Sequence, residues 1–196
     1  MNYATKAKDS FKTKWNLFCF SIAIGRSIDF SLTGFKEFNI SEELIDIYNS
    51  QYHQYHVDDK IESVGLTPDE IYIKLKDLDH SAEKAGCLEY YVSTFDTVFS
   101  KDDFEEVISQ TSCHYCGLSL KDFKLLYDQH QIFKKANRGF KLELDRKYPN
   151  QEYTRDNCVM ACYWCNNAKT DEFTADEFEP IGKAIGRVMK KRMKQH

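Results

Sequence analysis

The chain has 196 residues, of which 42% are hydrophobic, 14% aromatic and 30% charged. This composition is typical of a globular protein and excludes a disordered, collagen-like or coiled-coil chain. Residues 1–110 carry 11 Lys and Arg against 20 Asp and Glu, whereas residues 111–196 carry 16 against 11. A polyanionic partner would therefore meet the second region rather than the first.

The sequence contains no stretch of the roughly 20 consecutive apolar residues that a membrane-spanning helix needs. The most apolar N-terminal stretch, residues 15–24, is shorter than that and is not followed by the small residues of a cleavage site. We therefore expect a cytoplasmic protein with no membrane partner.

Residues 1–110 are expected to form a mainly helical region. Ser41 is placed to cap one helix and Ser100 to cap another. The motif Thr67-Pro-Asp-Glu combines a capping box with proline at the first helical position, which predicts a further helix. Residues 15–32 are rich in β-branched and aromatic side chains and fit either a buried helix or a pair of strands.

Residues 111–196 are expected to contain two strands followed by helices. Residues 140–145 alternate between apolar and polar side chains, which predicts a strand, and the apolar run 158–161 predicts its antiparallel partner. Residues 162–169 follow as a short helix, because cysteine, asparagine and lysine recur there at helical spacing. A capping box that begins at Thr174 predicts a final helix with a basic end.

The cysteines favour a metal site over a disulfide framework. Seven is an odd number, and four of the seven form two Cys-x-x-Cys pairs separated by 45 residues. Four thiolates can surround one structural zinc ion in a closed tetrahedral site, which implies a reducing compartment. Cys158 is a weaker candidate for the fourth ligand, and Cys19 and Cys87 are expected simply to be buried. The predicted ligands are Cys113, Cys116, Cys162 and Cys165.

Residues 144–171, together with the upstream motif Cys113-His-Tyr-Cys-Gly, resemble the HNH (ββα-metal) endonucleases. The combination of Asp-Arg, Asp-Asn and Cys-x-x-Cys-Asn-x-x-Lys resembles in particular a branch in which the usual Asp-His pair reads Asp-Arg. That branch includes small zinc-containing restriction endonucleases. The resemblance covers residues 111–190 and implies an α+β protein with a zinc-stapled ββα-metal domain over residues 111–196, preceded by the mainly helical residues 1–110.

The resemblance implies a second, catalytic metal site. By position, Asp145 and Asn166 would hold a divalent cation at the scissile phosphate, and Asn157 would brace the loop between the strands. Carboxylate and amide oxygens are hard ligands that suit Mg²⁺ or Mn²⁺. Arg146 stands where the family usually has the histidine that activates water, and it cannot be a base because it stays protonated. Arg146 can instead clamp the phosphate.

The sequence therefore does not identify the general base. Tyr115, between the first pair of cysteines, is the first candidate, because its position matches a tyrosine associated with this branch. The alternatives are His114, His130 and Glu143.

The expected function is a metal-dependent endonuclease that hydrolyses DNA, with residues 1–110 serving dimerisation or docking of a protein partner. One alternative is a zinc-stapled module that binds nucleic acid without cleaving it. Another is an effector that is active only in a complex, for example in restriction or phage defence. Asp145 and Asn166 favour the enzyme, because a carboxylate would repel phosphate in a simple binding module. The residues expected to contact nucleic acid are Lys147, Lys169, Lys190, Lys191 and Arg192.

Overall fold

The computed structural model describes residues 2–53, 56–132 and 139–194. The chain divides into two compact units, one formed by residues 4–95 and the other by residues 96–196 together with residues 1–3. The second unit carries 17 Lys and Arg against 16 Asp and Glu, because it includes an acidic helix before residue 111. Within the described ranges, no helix is both long enough and apolar enough to span a membrane.

All regular structure described in residues 4–95 is helical. The first helix continues to Ala23 and the chain then turns at Gly25, where φ is +85°, so residues 15–32 do not form a pair of strands. Ser41 caps a helix and Thr67 forms a capping box, as predicted. The helices are α1 (Tyr3–Ala23), α2 (Leu32–Glu37), α3 (Glu42–Asp46), which runs into a π-helical turn (Ile47–Tyr52), α4 (Pro68–Asp79) and α5 (Glu83–Thr94).

The core of this unit is rich in aromatic side chains. Trp15 of α1 packs against Phe35 of α2 with ring centroids 6.0 Å apart, and its indole N–H donates to Asp79 of α4 at 2.9 Å. Cys19 and Cys87 are buried here, as predicted. Burial raises the pKa of the Cys19 thiol to about 12, so this cysteine is a packing residue and not a reactive one.

The second unit combines helices with a two-stranded antiparallel sheet. In the register of this sheet Asp145 lies opposite Val159, and Arg146 lies opposite Cys158. Ser100 and Thr174 cap helices, as predicted. The elements are α6 (Lys101–Ile108), α7 (Leu120–Asp128), β1 (Glu143–Arg146), β2 (Cys158–Ala161), α8 (Tyr163–Lys169) and α9 (Ala175–Met193).

The first strand begins at Glu143, and the prediction that it begins at Phe140 is wrong. Glu143 pairs with Ala161, the last residue of β2, and the next residue already caps α8. Among the described residues, β2 therefore extends no further than the position opposite Glu143. Phe140 is 40% exposed, and its ring contacts Tyr127 of α7 with centroids 5.1 Å apart.

Candidate metal centre and active site

Four buried cysteines come together in the second unit. Their sulfur atoms all lie within 4.8 Å of one another, and the Cys116 and Cys162 sulfurs are 3.8 Å apart. Sulfurs bound to one zinc ion at ~2.3 Å in tetrahedral geometry would be about 3.8 Å apart, so these residues fit a closed zinc site. Hydrogen bonds from the other three thiols lower the pKa of Cys113. This thiol cluster consists of Cys113, Cys116, Cys162 and Cys165.

Two sulfurs of the thiol cluster are presented by a tight turn at residues 113–117, here called the cysteine turn. The amide of Gly117 donates to the carbonyl of Cys113 at 2.9 Å, and Gly117 has a φ of +68°, a conformation that favours glycine. The amide of His114 donates to the carbonyl of Met160 at 2.8 Å. The cysteine turn is thereby fastened to β2.

The other two sulfurs come from the start of α8, where Cys162 is the N-cap and accepts a hydrogen bond from the amide of Cys165 at 3.5 Å. Helix α9 lies directly against the cysteine turn. A Cβ atom added at Gly186 would be 2.5 Å from the carbonyl oxygen of Cys116. A Cβ atom added at Gly182, four residues earlier on α9, would be about as close to the cysteine turn. These two glycines therefore let α9 approach the thiol cluster.

Asp145 is a buried carboxylate on β1, with 8% of its side chain exposed. Its Oδ2 accepts a hydrogen bond from the Tyr115 hydroxyl at 2.6 Å and lies 3.4 Å from Nζ of Lys169. Burial raises the pKa of the Asp145 carboxyl above its ordinary value, while the hydrogen bond from Tyr115 and the charge of Lys169 oppose that rise. Both of these contacts go to Oδ2 and not to Oδ1.

Tyr115 connects the thiol cluster to Asp145. It lies in the cysteine turn between Cys113 and Cys116, and its ring packs edge-to-face against Phe178 of α9 with centroids 5.2 Å apart. Burial, followed by the hydrogen bond to Asp145, raises the pKa of Tyr115 well above its usual range. In this geometry the phenol is protonated and serves as a hydrogen-bond donor to the carboxylate.

Lys169, expected as a contact for nucleic acid, is completely buried at the end of α8. Its Nζ donates to the backbone carbonyl of Arg146 at 2.8 Å in addition to its ion pair with Asp145. A buried charge is stable only when it is paired and hydrogen-bonded, and these two contacts meet that need. Lys169 therefore ties α8 to β1 and is not part of the protein surface.

Asn166 lies one helical turn before Lys169 on α8. Its Nδ2 donates to Oε2 of Glu143 at 2.6 Å. Glu143 and Asp145 are two residues apart on β1 and so share a face of the strand. The side-chain amide oxygen of Asn166 and the carboxylate oxygen of Asp145 are hard donors, and this donor set fits Mg²⁺ or Mn²⁺.

Arg146 ends β1 with its guanidinium largely enclosed, since only 13% of the side chain is exposed. The guanidinium lies over the Tyr153 ring at 4.9 Å and donates to the carbonyl of Gln151 at 3.3 Å. It also donates to Asp171 at 3.4 Å, although the Asp171 carboxylate is 83% exposed. An exposed partner at that distance contributes little, so a phosphate could replace Asp171 at small cost.

Asn157 is buried at the end of the loop between the strands. Its Oδ1 accepts from the amide of Tyr148 at 2.8 Å, while Nδ2 donates to the carbonyls of Tyr148 at 3.1 Å and Glu152 at 2.9 Å. The backbone carbonyl of Asn157 accepts from the amide of Lys147 at 2.7 Å. One side chain thereby holds both ends of the loop that follows Arg146.

The remaining basic candidates differ in their surroundings. Lys190 and Lys191 are exposed near the end of α9, and Lys147 is half-buried after β1. Arg192 donates to the backbone carbonyl of Gln131 at 3.1 Å, so it fastens the end of α9 to the chain after α7.

Two of the three alternative bases, and the fifth cysteine of this unit, lie in three different settings. His114 is exposed on the cysteine turn. His130 is exposed after α7, where its φ is +55°. Cys158 is buried on β2 and does not belong to the thiol cluster.

Sequence reasoning missed three features of the site. The interior position of Lys169 and the pairing of Glu143 with Asn166 both depend on how α8 lies against β1, which no local pattern reports. The third feature is the contact between α9 and the cysteine turn, and the sequence does contain a signal for it. Gly182 and Gly186 stand four residues apart in an otherwise regular helical pattern, which indicates close packing on that side of the helix.

No family model and no curated protein matches the chain. Among solved structures, the chain is similar to the rare-cutting HNH restriction endonuclease PacI, with 19% identity and a TM-score of 0.37. The similarity covers 79% of this chain and 92% of that chain. At that identity and TM-score, the likeness is no basis for assigning a fold or an activity to this chain.

Proposed function

We propose that this chain is a metal-dependent endonuclease of the HNH type that hydrolyses phosphodiester bonds in DNA. The observation that carries the proposal is the setting of Asp145, a buried carboxylate bonded by Tyr115 of the cysteine turn and by Lys169 of α8. A module that only holds nucleic acid has no use for such a group, because a carboxylate opposes a polyanion. The burial of Lys169 further reduces the basic surface that the binding-module alternative needs.

Two kinds of metal site would serve this activity. The thiol cluster would hold one zinc ion per chain as a structural centre, since four protein ligands leave no open position for a substrate. Asp145 and Asn166 would hold Mg²⁺ or Mn²⁺ through their side-chain oxygens. Such a cation, when bound, stabilises the negative charge that develops on the phosphate and on the leaving oxygen.

Arg146 would act on the phosphate itself. Its guanidinium is always protonated and offers several donors in one plane, which suits a phosphate group. Stacking on Tyr153 and the bond to the Gln151 carbonyl hold that plane in a fixed orientation. A donor fixed in advance stabilises developing charge without reorganising during the reaction.

Tyr115 would position Asp145 rather than accept a proton, because its hydroxyl donates to that carboxylate. We expect Tyr115→Phe to retain cleavage at a rate about 10–100-fold lower, the usual effect of removing a partner of a metal ligand. We also expect the missing activity to be recovered in part at high Mg²⁺. Initial rates of plasmid nicking over a range of Mg²⁺ concentrations test this.

A tyrosine that acts as the general base would give a different result in the same experiment. Loss of a base typically lowers the rate by about 10²–10⁴ at every metal concentration. A deficit in Tyr115→Phe that high Mg²⁺ does not reduce would therefore contradict the positioning role.

Among the basic side chains, Lys147, Lys190 and Lys191 would contact the DNA backbone, because they are exposed or half-buried. Contacts of this kind are electrostatic and independent of sequence, so they fix the protein on the duplex and weaken as salt rises.

Residues 4–95 would serve dimerisation and not DNA binding. This unit carries 10 Lys and Arg against 15 Asp and Glu, a charge that opposes a polyanion. On α4, Tyr72 and Ile73 are neighbouring apolar side chains that are 59% and 61% exposed.

Sedimentation of the purified protein tests this role. We expect the full chain to sediment as a dimer. The double variant Tyr72→Ser, Ile73→Ser should sediment as a monomer at the same concentration. A monomeric wild-type chain that cuts both strands alone would contradict this role.

The experiment that tests the proposed function is cleavage by the purified full chain. Supercoiled plasmid and single-stranded DNA are each incubated with the protein in Mg²⁺, in Mn²⁺ and in EDTA. We expect nicked or linear plasmid with either cation and none in EDTA. Tight binding to DNA without cleavage under any of these conditions would favour the binding module instead.

A further inference from the structure

Glu143 holds the side-chain amide of Asn166 in one orientation. The Asn166 amide has a donor end, Nδ2, and an acceptor end, Oδ1, which exchange places when the group turns over. An ionised carboxylate accepts hydrogen bonds and cannot donate them. The 2.6 Å bond from Nδ2 to Glu143 therefore fixes which end of the amide faces the strand.

A second contact joins the same two elements. Glu143 and Asp145 share one face of β1, and their respective partners, Asn166 and Lys169, lie one turn apart on α8. Two side-chain contacts thus join one face of β1 to one side of α8. A change that released Asn166 would leave the second contact, between Asp145 and Lys169, in place.

We propose that Glu143 is a positioning residue for the catalytic cation, acting through Asn166. By holding Nδ2, it keeps Oδ1 as the end of the amide that the cation meets, and so it sets the affinity of the site for a divalent cation. This inference rests on the proposed function, since it takes Asn166 as a ligand. It assigns to Glu143 a role different from that of the general base.

The test is Mn²⁺ binding to the full-length, zinc-loaded protein, measured by the electron paramagnetic resonance signal of free Mn²⁺. The Mn²⁺ that wild type binds and Asp145→Ala does not bind defines the site. We expect Glu143→Ala to bind this Mn²⁺ about 10–100-fold more weakly, as is usual when a partner of a metal ligand is lost. Glu143→Gln keeps a carbonyl oxygen that can accept from Nδ2 but adds an amide donor that can pair with Oδ1 instead, so we expect its affinity to fall between those of Glu143→Ala and wild type.

Glu172→Ala is the matched control, because it removes one exposed carboxylate from the same unit. We expect it to leave the affinity unchanged, and zinc content and melting temperature show that each variant is folded. Equal Mn²⁺ affinity in wild type and Glu143→Ala would overturn the inference. Equal weakening in Glu143→Gln and Glu143→Ala would also overturn it, because the effect would then come from charge and not from the hydrogen bond.

A failure of the proposed function would look different from a failure of this inference. If wild type and Asp145→Ala bind Mn²⁺ equally and neither cuts DNA, the catalytic site itself is absent. If wild type cuts DNA and Glu143→Ala loses turnover at unchanged Mn²⁺ affinity, Glu143 acts on the reaction directly and the positioning role is wrong.

Discussion

Replacing Cys162 by serine should remove zinc from the protein and unfold the second unit. Cys162 contributes a sulfur to the thiol cluster and also caps α8, so its loss affects both the metal and the start of the helix that carries Asn166 and Lys169. Structural zinc contributes about 10–16 kcal/mol in small zinc domains, which is comparable to the entire stability of an ordinary domain, about 5–15 kcal/mol. Zinc content by elemental analysis and the melting curve of the purified protein measure the effect.

Cys158→Ser is the matched control for this prediction. Cys158 is buried on β2 in the same unit and lies outside the thiol cluster. We expect this variant to keep one zinc ion per chain and to lose only the stability of one buried thiol. Unchanged zinc content and melting in Cys162→Ser would refute the zinc site, as would a disulfide between any two members of the thiol cluster.

Replacing Asp145 or Asn166 by alanine should abolish cleavage while zinc content and DNA binding remain near the wild-type level. These two residues supply the proposed oxygen ligands, so their loss removes the charge stabilisation at the phosphate. Losing a single preorganised charge donor typically lowers the rate by about 10²–10³, and we expect the loss of a cation ligand to exceed that. Nicking rates at saturating Mg²⁺ measure the loss.

Removing Asp145 has a structural consequence that the controls must cover. The fully buried Lys169 would be left without its counter-charge, which destabilises a protein. Asp145→Asn keeps one oxygen that Tyr115 and Lys169 can both contact, so it should be more stable than Asp145→Ala. Asp156→Ala removes an exposed carboxylate from the loop between the strands and should cleave like wild type.

Residues whose role depends on near neighbours in the chain were predictable. The capping residues Thr67 and Thr174 act within one helical turn, and the Cys-x-x-Cys spacing brings two sulfurs together within one turn of chain. The sequence therefore predicted the helices α3, α4, α6, α8 and α9, the second strand and the membership of the thiol cluster.

Residues whose role depends on contacts between elements were not predictable. Lys169 reads as a surface charge at the end of a helix, yet the packing of α8 against β1 buries it beside Asp145. The alternation that starts at Phe140 reads as a strand, but pairing needs a partner and β2 ends opposite Glu143. In both cases the outcome depends on packing against another element, and the local sequence pattern carries no information about that packing.

The most direct test compares wild type with Asp145→Asn for two properties of the same samples: DNA affinity and the rate of plasmid nicking at saturating Mg²⁺. The proposed site predicts equal DNA affinity, equal zinc content and a nicking rate in Asp145→Asn that is lower by at least about 10³, more than a single preorganised donor supplies. Nicking by Asp145→Asn within tenfold of the wild-type rate would contradict a catalytic site built around this carboxylate.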